Sequence, residues 1–148
     1  MCSIRGSESL LTYQPLITTA AGNLTLGSAN KTIYLSATFT ACSMDNKRGF
    51  LYVYELNRQS IYRTDVNTVA TAGDVTLSRV YRGMSRHVLI KMAIEWVTGN
   101  VYWVDPGFRW LGLYSSGSAQ YRVIIHDDME LPISIAVDST QEYGLFVS

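Results

Sequence analysis

At 148 residues the chain is long enough for one domain with a sizeable core and too short for two. Its twelve basic and twelve acidic residues cancel, which excludes the one-sided basic footprint that a phosphate backbone selects and argues against nucleic acid as a partner. Hydrophobic residues make up 47% but fall in short runs, none near the ~18 to 20 apolar residues that span a bilayer, so no membrane insertion and no transmembrane helix is expected. Ten tyrosines against four phenylalanines, with many Val, Ile and Thr, favour pleated, half-buried surfaces, and the expected class is all-β.

Residues 1–40 read as an irregular segment with two short β-like runs, 10–13 and 32–35, the first a candidate orphan edge strand. The opening MCSIRGSESLL lacks the basic-then-apolar order of a signal peptide. Two sequons, Asn23-Leu24-Thr25 and Asn30-Lys31-Thr32, make Asn23 and Asn30 glycosylation candidates and lean towards secretion. Cys2 and Cys42 are too few for a disulfide scaffold and lie in no CxxC or Cys/His pattern. They read first as spare thiols, with a bridge to each other or to a neighbouring module as the alternative in an oxidising compartment.

From residue 41 the chain repeats itself. AIEWVTGNVYWVD at 93–105 returns in weaker form as AVDSTQEYGLFVS at 136–148 and upstream as SMDNKRGFLYVYE at 43–55, the mark of a stacked or radial array of one supersecondary unit. The unit at 41–90 divides into a first strand, a turn at 47–49, and strands at 50–54, 61–64 and 77–82, with extra loop residues around 67–74. The unit at 91–133 gives strands at 91–95, 100–104, 111–114 and 121–125, and the unit at 134–148 is incomplete. Tyr102 and Trp103 put large rings on opposite faces of one strand, which implies burial on both. No segment has the i, i+3, i+4, i+7 pattern of a crossover helix, so a parallel β/α array is disfavoured. Four antiparallel strands in about 43 residues describe a propeller blade. The expected fold is a partial β-propeller of about two and a half four-stranded blades.

NVYWVD at 100–105, preceded by AIEWVTGN and followed later by LPISIAVDST at 131–140, resembles the YWTD, or class B, repeats of low-density lipoprotein receptor relatives. Val104 stands at the threonine place. In the upstream copy Tyr52 keeps the tyrosine, Val53 replaces the tryptophan and Glu55 the aspartate, and in the last copy Ser148 stands where the carboxylate belongs. The resemblance implies a six-bladed propeller of about 250 residues at this period, of which this chain is a fragment. It also implies an extracellular position in the ectodomain of an endocytic or signalling membrane receptor. The missing blades and EGF-like modules would be partners within the parent protein. It assigns Tyr52, Glu55, Trp96, Tyr102, Trp103, Asp105 and Asp138 to structure, the carboxylate bracing the blade by accepting backbone hydrogen bonds.

No catalytic constellation, cofactor motif or metal-ligand set emerges, so recognition of a protein ligand is expected instead of catalysis. The resemblance puts the ligand-facing rim in two kinds of loop: those after each second strand, with Arg58, Phe108, Arg109 and Trp110, and those linking blades, with Arg86, His87, His126, Asp127, Asp128 and Glu130. Arginine and aromatic residues dominate interface energy, which makes Arg109 and Trp110 candidate anchors. Asp127, Asp128 and Glu130 form an acidic loop without the spacing of an EF-hand. His87 and His126 read as ordinary loop histidines, although the family's acid-triggered release would suit protonation there. The alternatives are a calcium-dependent lactonase-type propeller hydrolase using Asp45, Glu95 and Asp138, and an intracellular scaffold propeller.

Overall fold

The computed structural model describes residues 2–5, 10–13, 16–26, 31–34, 37–66, 76–126, 129–138 and 144–148, and these form an all-β array. Strands β1 (Cys2–Arg5), β2 (Leu10–Tyr13) and β5 (Lys31–Tyr34) make an antiparallel sheet in the order β1-β2-β5. The hairpin of β3 (Leu16–Thr18) and β4 (Leu24–Leu26) is inserted between β2 and β5. Residues 10–13 are therefore a central strand and not an orphan edge, and the described residues of the segment expected to be irregular are largely strand. The inserted hairpin hides the repeat from the sequence, because it breaks the spacing between consecutive strands of the sheet.

Strands β6 (Phe39–Asp45), β7 (Phe50–Glu55), β8 (Ser60–Asp65) and β9 (Ser78–Arg82) form the next sheet, antiparallel in sequence order. The same order recurs in β10 (Lys91–Ile94), β11 (Val101–Asp105), β12 (Trp110–Ser115) and β13 (Gln120–Ile125). A last pair, β14 (Ile135–Asp138) and β15 (Gly144–Val147), repeats the first two strands of the unit. Each sheet touches the next through its first strand: β1 lies against β6, β6 against β10, and β10 against β14. First strands that meet side by side while the sheets extend away from them define a radial array, and the chain is a partial β-propeller. Among the described residues no helix is long and apolar enough to cross a membrane.

The alternation of each second strand builds the seams between blades. On β7, Leu51 and Val53 face one cluster with Phe39 and Val66, while Tyr52 and Tyr54 face another with Val101, Trp103 and Tyr114 of the following blade. All four β7 side chains are fully buried. Trp103 is likewise buried, its ring 4.9 Å from that of Tyr81. Tyr102 is only half-buried, unlike its counterpart Tyr52, because the blade on its side presents two strands instead of four. The loop expected around 67–74 lies outside the described residues.

Cys42 is disulfide-bonded, and Cys2 is the chain's only other cysteine. The reading of Cys42 as a spare thiol is corrected accordingly, since isolated cysteines show no spacing that distinguishes a bridge from a free thiol.

Trp103 sits opposite Gly112 across the β11–β12 ladder, and a Cβ added at Gly112 would overlap the indole ring. Only a glycine lets the ring lie flat on the neighbouring strand. Gly112→Val is expected to cost about 1–3 kcal/mol of stability by overpacking, read as a lower urea midpoint with red-shifted tryptophan emission. Gly117→Val, at a position where a Cβ meets nothing within 4 Å, should leave both unchanged.

Candidate functional site

Four acidic residues stand at the end of a strand or, for Glu95, directly after it, and close the turn that follows. Glu55 ends β7 and accepts from the N–H groups of Asn57 (3.2 Å), Arg58 (2.5 Å) and Thr38 (3.1 Å). Asp105 ends β11 and accepts from Gly107 (3.0 Å), Phe108 (3.2 Å) and Ser85 N–H (2.6 Å), and from the Ser85 hydroxyl. Both carboxylates tie a turn, 56–59 or 106–109, to the segment that leads into the same blade. Glu55, a departure from the aspartate pattern, thus performs the same work with a longer side chain. At the opposite rim, Asp45 accepts from Lys47 and Arg48 N–H (both 3.1 Å) and Glu95 from Val97 (2.7 Å) and Thr98 (2.8 Å). Asp138 occupies the corresponding place at the end of β14. Where the last copy has Ser148, its main-chain oxygen accepts from Ile133 and Ser134 N–H (2.9 and 2.8 Å).

The rim bearing turns 56–59 and 106–109 also carries the linking loop 83–90 and the described part, 129–134, of the next. The Tyr54 hydroxyl, buried beneath it, donates to the Ser85 carbonyl at 2.6 Å and continues the Asp105 network into the preceding blade. Burial pushes the Tyr54 phenol up to about 12, with the nearby carboxylates of Asp105 and Glu55 adding to the effect. Gly107 is needed beneath this network, because a Cβ there would overlap Ser85 and force it away from Asp105.

Of the residues expected on this rim, Arg58 and Phe108 are exposed and line a common cleft of ≈ 470 Å³. Arg86 is exposed and donates to the Asn57 side-chain oxygen at 3.0 Å. Arg109, expected as an anchor, donates its Nε–H to the Met129 carbonyl and so fastens a linking loop. Trp110 is half-buried with its ring 4.7 Å from that of Phe108. The His87 Nδ1 accepts the Leu89 N–H at 3.1 Å. His126 and Glu130 are exposed, and Asp127 and Asp128 lie outside the described residues. Asn23 is exposed at the β3–β4 turn, and Asn30 lies outside the described residues. Trp96, assigned to structure by the resemblance, is 59% exposed, because the tight turn closed by Glu95 turns it outward, where Lys47 Nζ lies 5.9 Å from its ring centre.

Sequence reasoning missed Tyr62, Arg79 and Arg82, which line the same cleft as Arg58 and Phe108. The cause is a bulge. Ile61 pairs with Tyr81 but Tyr62 pairs with Arg79, so Val80 is skipped, and Arg79 and Arg82, three apart, come to one face. Regular alternation would put them on opposite faces. Among the described residues no three His, Cys, Asp or Glu side chains gather as a metal site.

Fold and rim together define a β-propeller segment with braced loops on one face. No family model matches the chain, and no curated protein sequence does. Among solved structures it is similar to a chain of a crystallised nidogen/laminin complex, at a TM-score of 0.66 and 13% identity, over 90% of this chain. It spans 47% of that chain's length, and the likeness shows the propeller fold.

Because the folded protein keeps the Tyr54 phenol neutral to about 12, against 10.0 unperturbed, its stabilisation is complete below pH 10 and lost as pH rises through about 12. Urea titrations across that window should show a falling midpoint, less steep in Tyr54→Phe. Tyr52 and Tyr81, also pushed up by burial, should sustain the remaining slope. Asp105→Asn should destabilise by about 1.5–3 kcal/mol for each charge-assisted bond it loses, seen in the same titrations near neutral pH.

Proposed function

We propose that the chain is part of an extracellular, six-bladed YWTD-type propeller of a receptor related to the low-density lipoprotein receptor, which binds a protein ligand without catalysis. The observation that carries this is the carboxylate latch: Glu55 and Asp105, at equivalent places in two blades, accept the backbone bonds that the YWTD resemblance assigns to its aspartate. The disulfide at Cys42 supports an oxidising compartment, as does the exposure of Asn23 within its sequon. A protein ligand is supported by the exposed apolar side chains of Val88, Leu89, Leu131 and Ile133 in successive linking loops, on the rim that the latches hold in place. The similar propeller fold in a nidogen/laminin complex belongs to a protein–protein assembly, which favours the same class of partner. Asp45 and Glu95, the acidic residues a hydrolase would need in the channel, are spent on turn N–H groups, which favours binding over catalysis.

Secreted from eukaryotic cells behind a leader, the segment is expected to be glycosylated at Asn23 and to contain no free thiol. A panel of extracellular ectodomains should yield a binder that is lost with Val88→Ser/Leu89→Ser and kept with Trp96→Ala on the opposite rim. Reduced cysteines with an unmodified Asn23 in the secreted protein, or binders indifferent to the Val88/Leu89 pair, would overturn the reading.

A further inference from the structure

The cleft at the outer end of the first complete blade gathers three of the chain's twelve cationic side chains, Arg58, Arg79 and Arg82, beside the rings of Tyr62 and Phe108. Among the described residues no carboxylate lines it and none of the three arginines has an ion-pair partner. In a chain of zero net charge this is a local concentration of positive potential, held at a concave and partly apolar surface.

The following blade serves as an internal control. It has the same bulge, with Leu111 paired to Ile125 and Gly112 to Val123, so its backbone places Phe108, Val123 and His126 where the first has Arg58, Arg79 and Arg82. The blade folds without arginine at any of these positions. Three exposed guanidinium groups brought to one face therefore contribute nothing that the sheet requires, and their mutual repulsion is relieved when an anion enters.

The walls are rigid. The Gln59 side chain donates to the Met84 carbonyl at 3.1 Å, and the Gln59 carbonyl accepts from Gly83 and Met84 (3.2 and 3.1 Å), so turn 56–59 is locked to the loop after β9. β9, which carries Arg79 and Arg82, is the outermost strand of its sheet, and among the described residues it pairs with β8 alone, leaving its other backbone edge open.

We infer that the cleft binds an acidic peptide segment of a protein partner, its Asp or Glu carboxylates held by Arg58, Arg79 and Arg82 and its backbone paired along the β9 edge. Guanidinium forks match carboxylates in two-pronged geometry, and an aromatic or aliphatic side chain of the segment fills the space against Tyr62 and Phe108. A sulfated glycan would meet the charges but has no amide groups to pair with a strand edge, which is why a peptide is favoured. The inference rests on the protein-binding reading above only for the kind of partner.

The test is fluorescence anisotropy of a labelled Asp/Glu-rich peptide of about eight residues containing one phenylalanine, added to the full chain. Arg79→Gln/Arg82→Gln should weaken binding by about tenfold or more with an unchanged melting temperature, and Arg122→Gln on β13 should leave it unaltered. Equal binding by the double variant, tighter binding of a heparin-derived oligosaccharide than of the peptide, or undiminished binding of a backbone N-methylated peptide would each overturn the inference. Val88→Ser/Leu89→Ser should not affect the peptide, so failure of the rim and failure of the cleft are separable.

Discussion

The buried carboxylate of Asp105 is the constraint on which the seam between the two four-stranded blades depends. Removing such a group from water costs several kcal/mol unless its oxygens are satisfied, and here three backbone N–H groups and one hydroxyl converge on them. Those donors come from two separate segments, so satisfying the carboxylate fixes where the turn at 106–109 lies relative to the loop at 83–90. Tyr54 then carries the connection through the Ser85 carbonyl into the previous blade. One polar network therefore sets blade spacing at this rim, while Trp103 against Gly112 and Tyr81 sets it in the core.

The opposite rim is held by a different device to the same end. Arg48 is ion-paired with Asp45 at 3.1 Å and donates across the seam to the Val97 carbonyl at 2.9 Å, joining the lower turns of two blades. With both ends of the seam fixed, the rim turns tolerate strained residues. Gln59 (φ 51°) and Arg109 (φ 60°) occupy the left-handed region at equivalent places. Each sends a side-chain N–H to a methionine carbonyl of a neighbouring loop, Met84 or Met129. The bond gained offsets a conformation that glycine would adopt at lower cost, and it explains why a prominent arginine on the rim is a fastener.

Strands were legible because period-2 alternation survives wherever a blade faces neighbours on both sides, as in Leu51 to Tyr54, and the acidic residue closing each repeat was legible as a structural position. What escaped the sequence were events that break the period. The β3–β4 hairpin concealed a sheet in the first 34 residues, and the skipped Val80 concealed the pairing of Arg79 with Arg82 across one face. The exposure of Trp96 escaped for a related reason: its place is set by the Glu95 turn, whose carboxylate accepts from the Val97 and Thr98 N–H groups, and turn geometry there overrides hydrophobicity. The bridge at Cys42 had no local signature, since it depends on the fold and not on spacing.

A repeated backbone also separates what a blade needs from what it merely carries. Glu55 and Asp105 differ in length yet accept equivalent donors, so a carboxylate at that place belongs to the blade. Tyr52 and Tyr102 occupy one position, buried in one copy and half-buried in the other, in proportion to the size of the sheet each faces. Arg58 and Phe108, or Arg79 and Val123, share backbone surroundings but not chemistry, so the fold imposes neither member of either pair. Positions free of the frame in this sense collect at the outer end of the rim, where the latches hold the main chain still and the side chains meet solvent. A propeller built this way changes its surface chemistry blade by blade without disturbing the seams, because the bonds that set blade spacing and the groups that face solvent belong to different residues.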